Sequence, residues 1–181
     1  MDILKEFFGF GGYQRPAEGY MSPEHLIFVS ALTAFMILLA VVFALKSKNS
    51  DEKTKSRVLI VSAILIDSIE IFKITVFSLR GGDPLSFLYN LPLFLCSIQL
   101  ITIPLAAFSK GRTKEASLDF IAIFGILGAV LGTYFAGNNY GTYPVISIDN
   151  VASGLTHCIA GFVCIYILMT RMARLEKRNI P

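Results

Sequence analysis

The chain has no tryptophan, only two histidines, three cysteines and few charges. Each shortage excludes something. Charged residues make up 16% of the 181 positions, whereas soluble domains carry about a quarter. A chain this poor in charge does not read as a water-soluble domain. The net charge of +3 is too small to mark a nucleic-acid partner, and the basic residues fall in loops between apolar runs. The cysteines, Cys96, Cys158 and Cys164, are odd in number and sit inside apolar segments, which argues against a disulfide framework. Without tryptophan, an interfacial aromatic belt must be built from Tyr and Phe. The first residues do not read as a signal peptide, because a basic start, an apolar run and a small-residue cleavage site are missing there. No internal repeat or low-complexity tract is visible, and the length suits one domain.

What the sequence does have is long apolar runs, at 25–45, 58–79, 88–108, 118–136 and 151–169. Each is about 20 residues, the length that crosses ~30 Å of hydrocarbon at ~1.5 Å per residue. A bilayer requires backbone polar groups to be satisfied internally, so helices are expected. The expected fold is all-α: a polytopic membrane bundle of about five transmembrane helices. The bundle covers residues 25–170, after an extracellular interfacial segment at 1–24 and before a cytoplasmic basic tail at 171–181.

The loops predict orientation. Lys46, Lys48, Lys53, Lys55 and Arg57 follow the first run, and Lys110, Arg112 and Lys114 follow the third. Arg171, Arg174, Lys177 and Arg178 follow the fifth, whereas the other side has only Lys5, Arg15 and Arg80. The positive-inside rule then puts the N-terminus outside and the C-terminus inside. Ile3, Leu4, Phe7 and Phe8 recur at helical spacing, with Asp2, Lys5 and Glu6 elsewhere around the turn. That pattern predicts a short helix lying in the outer interface, broken by Gly11, Gly12 and Pro16; a disordered tail is the alternative. Gly125, Gly128 and Gly132 in the fourth run predict close helix packing.

Ionisable groups inside apolar runs cost about 2.5–3.5 kcal/mol each on insertion scales. The second run holds Asp67, Glu70 and Lys73 at three-residue steps, so successive pairs meet on adjacent turns. Glu70 and Lys73 can neutralise each other, which leaves Asp67 without a local partner. Cys96, with Gln99 one turn deeper, belongs to the third run, His157 to the fifth, and His25 to the mouth of the first. With the predicted orientation all of these fall in the outer half, which predicts a shared polar cavity. A Cys beside a His is a nucleophile with its base. A carboxylate such as Glu70 can orient the imidazole, and Lys73 can stabilise an oxyanion or a phosphate. His25, His157, Cys96 and a carboxylate could ligate a metal, but no close CxxC or HxxxH spacing supports one, so neither metal nor cofactor is expected. The same cluster equally suits capture or transport of a small polar solute at the outer face, with Lys73 and the carboxylates reading its charge. It also suits plain interhelical bonding. Cys158 and Cys164 read as small apolar residues.

Four segments, taken in order, carry a resemblance: Met-Ser-Pro-Glu-His at 21–25; Glu70 with Lys73; Leu-Pro-Leu-Phe-Leu-Cys-Ser-Ile at 91–98; and Tyr-Pro-Val-Ile-Ser at 143–147, followed by His157. The chain resembles the YwaF-like family of bacterial integral membrane proteins. The likeness implies a multi-pass protein of a bacterial plasma membrane. Eukaryotic relatives of that family include an ether-phospholipid acyltransferase thought to pass an acyl chain through a cysteine. The resemblance therefore implies Cys96 as an acyl-accepting thiol and membrane lipid as partner; the small net charge already speaks against nucleic acid. His157 would serve as base, Glu70 would orient it, and Lys73 or Gln99 would stabilise charge, with Asp67 and His25 completing the substrate site. Two departures stand out. Family members commonly have His where this chain has Phe94, and they carry a further hydrophobic helix beyond the position of Pro181. A missing helix would leave the bundle open on one side, or filled by a second copy or a partner membrane protein.

Overall fold

The computed structural model describes residues 3–82, 88 and 95–175. Among them every regular element is helical and no strand occurs. A short helix, α1 (Ile3–Phe8), precedes two long ones, α2 (Pro23–Ser47) and α3 (Glu52–Gly81). A 3₁₀ turn at Leu95–Ile98 leads into α4 (Gln99–Phe108). Then come α5 (Gly111–Tyr134), the short α6 (Gly137–Thr142) and α7 (Ile148–Met169).

Local signals set these limits. Ser22 caps α2 by accepting the His25 backbone N–H at 3.2 Å, and Pro23 follows at the first helical position, where its missing N–H has no partner to lose. Asp51 caps α3 through the Thr54 N–H at 3.2 Å. Gly82 ends α3 with φ +65°, the left-handed conformation in which glycine has no Cβ to clash. Ser147 caps α7 through the Asn150 N–H at 3.3 Å.

Among the described residues three helical stretches are long and apolar enough to cross a membrane: α2, the stretch from Gly111 through Thr142, and α7. Helix α3 has 30 residues, about 45 Å at helical rise, but it carries Asp67, Glu70 and Lys73 in its middle. The 10-residue apolar α4 is the second half of the third run; most of the first half lies outside the described residues. The chain is a multi-pass membrane protein. Its broad apolar exposure, at Ile27, Phe35 and Leu38 of α2 among others, is the surface that hydrocarbon covers.

Helix α7 is central and packs on α2, α3 and α5. Leu59, Ile66, Ile103, Ile121, Val163 and Ile167 form the main core around it. Small residues allow the approach. A Cβ on Gly161 would meet Ala129 and Met36 at 2.9 Å, and one on Gly125 would meet Cys164 at 2.7 Å. Gly128 has nothing within 4 Å, so the close packing expected of the α5 glycines is made by Gly125 and Gly132, not by Gly128.

The basic segments gather at one end. Lys55 donates to the Thr170 carbonyl at 3.2 Å, and Lys114 to Ser56 at 2.9 Å. Buried Asp119 accepts the backbone N–H groups of Arg174 and Leu175 at 3.0 and 2.8 Å. The opposite end carries α1, whose Phe7 and Phe8 pack beside Val76 and Ile148, while Ile3 and Leu4 stay exposed.

Candidate functional site

At the α1 end the bundle holds a half-open cavity of about 670 Å³ between α3, α5 and α7, with the start of α4 as a further wall. It reaches from Ile66 and Ala160, at mid-bundle, to Tyr143 and Asp149 near α1. Four of the seven site residues expected from the sequence line it: Glu70, Lys73, Gln99 and His157.

Each is placed by its helix. Glu70 and Lys73 stand one turn apart on α3, and Lys73 Nζ lies 2.6 Å from Glu70 Oε1. Both side chains are largely buried, at 17% exposure for Lys73 and 7% for Glu70, so each charge depends on the other for compensation. The approach is an ion pair whose angles leave Oε1 without a well-directed hydrogen bond. Gln99, 2% exposed, opens α4, and the Thr102 hydroxyl donates to its Oε1 at 3.1 Å, which fixes the amide. His157 on α7 faces Gly132 of α5, where any Cβ would overlap the imidazole ring. The ring makes no hydrogen bond among the described residues, and none links it to Glu70. Its nitrogens are therefore uncommitted within that set. Cys96 lies in the 3₁₀ turn beside Ser97, which lines the cavity; the Cys96 side chain and Phe94 lie outside the described residues.

The other two expected residues stand apart from the lining. Asp67 is half-buried on α3, one turn before Glu70. His25 is fully buried. Its Nδ1 accepts the Met21 N–H at 3.1 Å, so Nε2 carries the proton and faces the Thr133 carbonyl at 3.4 Å. The Tyr140 ring covers it at 4.0 Å between centroids.

Sequence reasoning passed over a second polar group at the cavity rim. Asp149, 4% exposed, pairs with Arg80 at 2.8 Å and accepts a hydrogen bond from the Tyr13 hydroxyl. The Arg80 guanidinium also lies over the Phe77 ring, 4.6 Å from its centroid. Burial, and then the bond to Asp149, push the Tyr13 pKa above its ordinary value, so the phenol stays a donor. The available signal was a lone Arg ending one apolar run and an Asp opening another. An acid in a helix's first turn is ordinary capping electrostatics, which hid it. Among the described residues no three of His, Cys, Asp and Glu form a group able to hold a metal.

Compared with known proteins, residues 20–181 match the model of the TMEM164 family, a span that includes every residue of the cavity lining. No curated protein and no solved structure matches the chain.

Proposed function

The chain belongs to the TMEM164 family, and from that premise we propose that it is a membrane acyltransferase working on lipids, with Cys96 as the acyl-accepting thiol. The observation that carries this reading is convergence. Glu70, Lys73, Gln99 and His157, from three helices, meet in one cavity beside the turn that holds Cys96.

In the first half-reaction the Cys96 sulfur attacks the carbonyl carbon of an acyl ester, and His157 takes the thiol proton. The C–O bond breaks, and the leaving alkoxide takes that proton from His157, leaving an acyl thioester. In the second, an acceptor hydroxyl attacks the thioester carbon while His157 accepts its proton. The C–S bond breaks, the new ester leaves, and the thiolate recovers the proton. Lys73 and the Gln99 amide are the donors for the two oxyanions, and Glu70 compensates the Lys73 charge in a low-dielectric setting. In this reading the basic end faces the cytoplasm of a plasma membrane, so the cavity belongs to the outer half.

The test uses purified protein in mild detergent with a long-chain activated acyl ester. Intact-mass spectrometry and peptide mapping locate the label. The expected result is a single adduct on Cys96, absent in Cys96→Ala and formed about 10²-fold more slowly in His157→Ala. Equal, slow labelling of all three cysteines would overturn the proposal, as would full lipid acyl transfer by Cys96→Ala. Capture of a small polar solute is the competing reading; the amides of Asn138 and Asn139 in the lining favour it. It predicts solute binding that survives Cys96→Ser.

A further inference from the structure

The cavity has two unlike borders. On one flank its lining includes Leu131 and Phe135 of α5, which are 56% and 58% exposed on the apolar surface of the bundle. At the α1 end its lining includes Gly137, Tyr143 and Asp149, and the N-terminal segment is fastened across these three. The Tyr13 hydroxyl bonds Asp149, and its ring packs on Tyr143 at 5.9 Å between centroids. The Tyr20 ring covers Gly137, where a Cβ would meet it at 3.7 Å. Between these points Glu18 accepts the Val145 N–H at 2.7 Å, and Arg15 donates to the Ile146 carbonyl at 3.4 Å. Glu6 folds the segment back on itself by accepting the N–H groups of Gln14 and Arg15 at 3.1 and 3.0 Å.

We infer that residues 3–20 form a strap that closes the polar end of the cavity, latched by Tyr13 on the Arg80–Asp149 pair, so that the cavity exchanges with the bilayer past Leu131 and Phe135 rather than with water. The inference rests on the reading of this cavity as the functional site and adds its route of access: the substrate is a membrane-dissolved amphiphile that enters sideways. The latch suits this role physically. Asp149 and Arg80 neutralise each other at the rim, and the phenol adds a charge-assisted bond that a small displacement of the strap breaks. Only Tyr20, the strap's final residue, falls within the family match, which begins there; Tyr13, Arg15 and Glu18 lie before it.

The experiment places a reporter inside the cavity and needs no enzymatic activity. Ser153, which lines the cavity on α7, is changed to cysteine (Ser153→Cys) in the full chain, held in phosphatidylcholine nanodiscs. Two methanethiosulfonates are compared, one bearing an alkyl chain and one a trimethylammonium group, with labelling at position 153 read by peptide mapping. The alkyl reagent is expected to react quickly and the charged one slowly. Adding Tyr13→Phe, which keeps the ring and removes the latch, is expected to speed the charged reagent about tenfold and to leave the alkyl reagent unchanged. Glu18→Gln, which weakens the strap at a second point, should act in the same direction. If the charged reagent is as fast as the alkyl one with the strap intact, the proposal falls. It also falls if neither strap variant, folded as judged by its melting, changes the charged rate. Should these rates come out as expected while Cys96 takes no acyl label, the strap stands and the acyltransferase reading alone is lost.

Discussion

The imidazole of His157 lies against Gly132 at a point where a β-carbon would overlap ring atoms Cε1, Nδ1 and Nε2. An absent side chain on α5 thus gives the α7 histidine its place in the cavity. Gly132→Ala should force the ring out of position, at a cost of about 1–3 kcal/mol from overpacking, and slow acylation of Cys96 as His157→Ala does. The comparison is Gly128→Ala, one turn away with open space around it. That change should be neutral or stabilising, by about 0.5–1 kcal/mol. Thermal unfolding in detergent, together with the acyl-labelling rate, separates the two.

The Glu70–Lys73 pair should show strong coupling. Removing one partner leaves a buried, uncompensated charge, so Glu70→Ala and Lys73→Ala are each expected to cost about 3–5 kcal/mol. Removing both, as Glu70→Leu with Lys73→Met, should cost much less than the sum. A double-mutant cycle on unfolding free energy measures this, and simple additivity would contradict the pairing.

Acid should loosen the strap and fray the start of α3. The backbone N–H groups of Arg15 and Gln14 hold the Glu6 carboxyl below its ordinary pKa of 4.5, and the hydrogen bonds from Thr54 hold Asp51 below 3.8. A depressed folded pKa means the contribution is complete above the ordinary value and is lost as pH falls through the folded one. Amide exchange at Arg15 and Thr54, corrected for intrinsic rates, should therefore be steady from neutral pH down to those values and rise below them. Asp51→Asn, which keeps a capping oxygen, should flatten the Thr54 profile.

Asp119 should control the stretch after α7. It accepts two backbone N–H groups, those of Arg174 and Leu175, while only 2% exposed. Asp119→Ala leaves those donors without this acceptor, at about 1–3 kcal/mol. Faster tryptic cleavage after Arg174 than in the unmodified protein is the expected readout.

Several of these relationships were legible beforehand and others were not. The three-residue step from Glu70 to Lys73 already implied their pairing, because one helical turn brings such residues together. Likewise His157 and Gln99 could be placed at a common depth with that pair by counting residues along each run. His25 shows where counting stops. It falls in the same half of the bundle by number, yet it is packed under Tyr140 and bonded to Met21, away from the cavity lining. Position along a helix axis follows from residue number, whereas rotation about that axis follows from packing against neighbours.

The sequence by itself determined that this chain crosses a membrane as helices, since runs of about 20 apolar residues have no other stable arrangement in hydrocarbon. It also determined that the basic segments share one end. Only the tertiary structure decided which polar groups face one cavity, that Gly132 and not Gly128 makes room for a ring, and that Tyr13, Arg80 and Asp149 meet. Those contacts join residues 69 and 136 positions apart in the chain, and no local periodicity records a contact that arises only when separate helices pack.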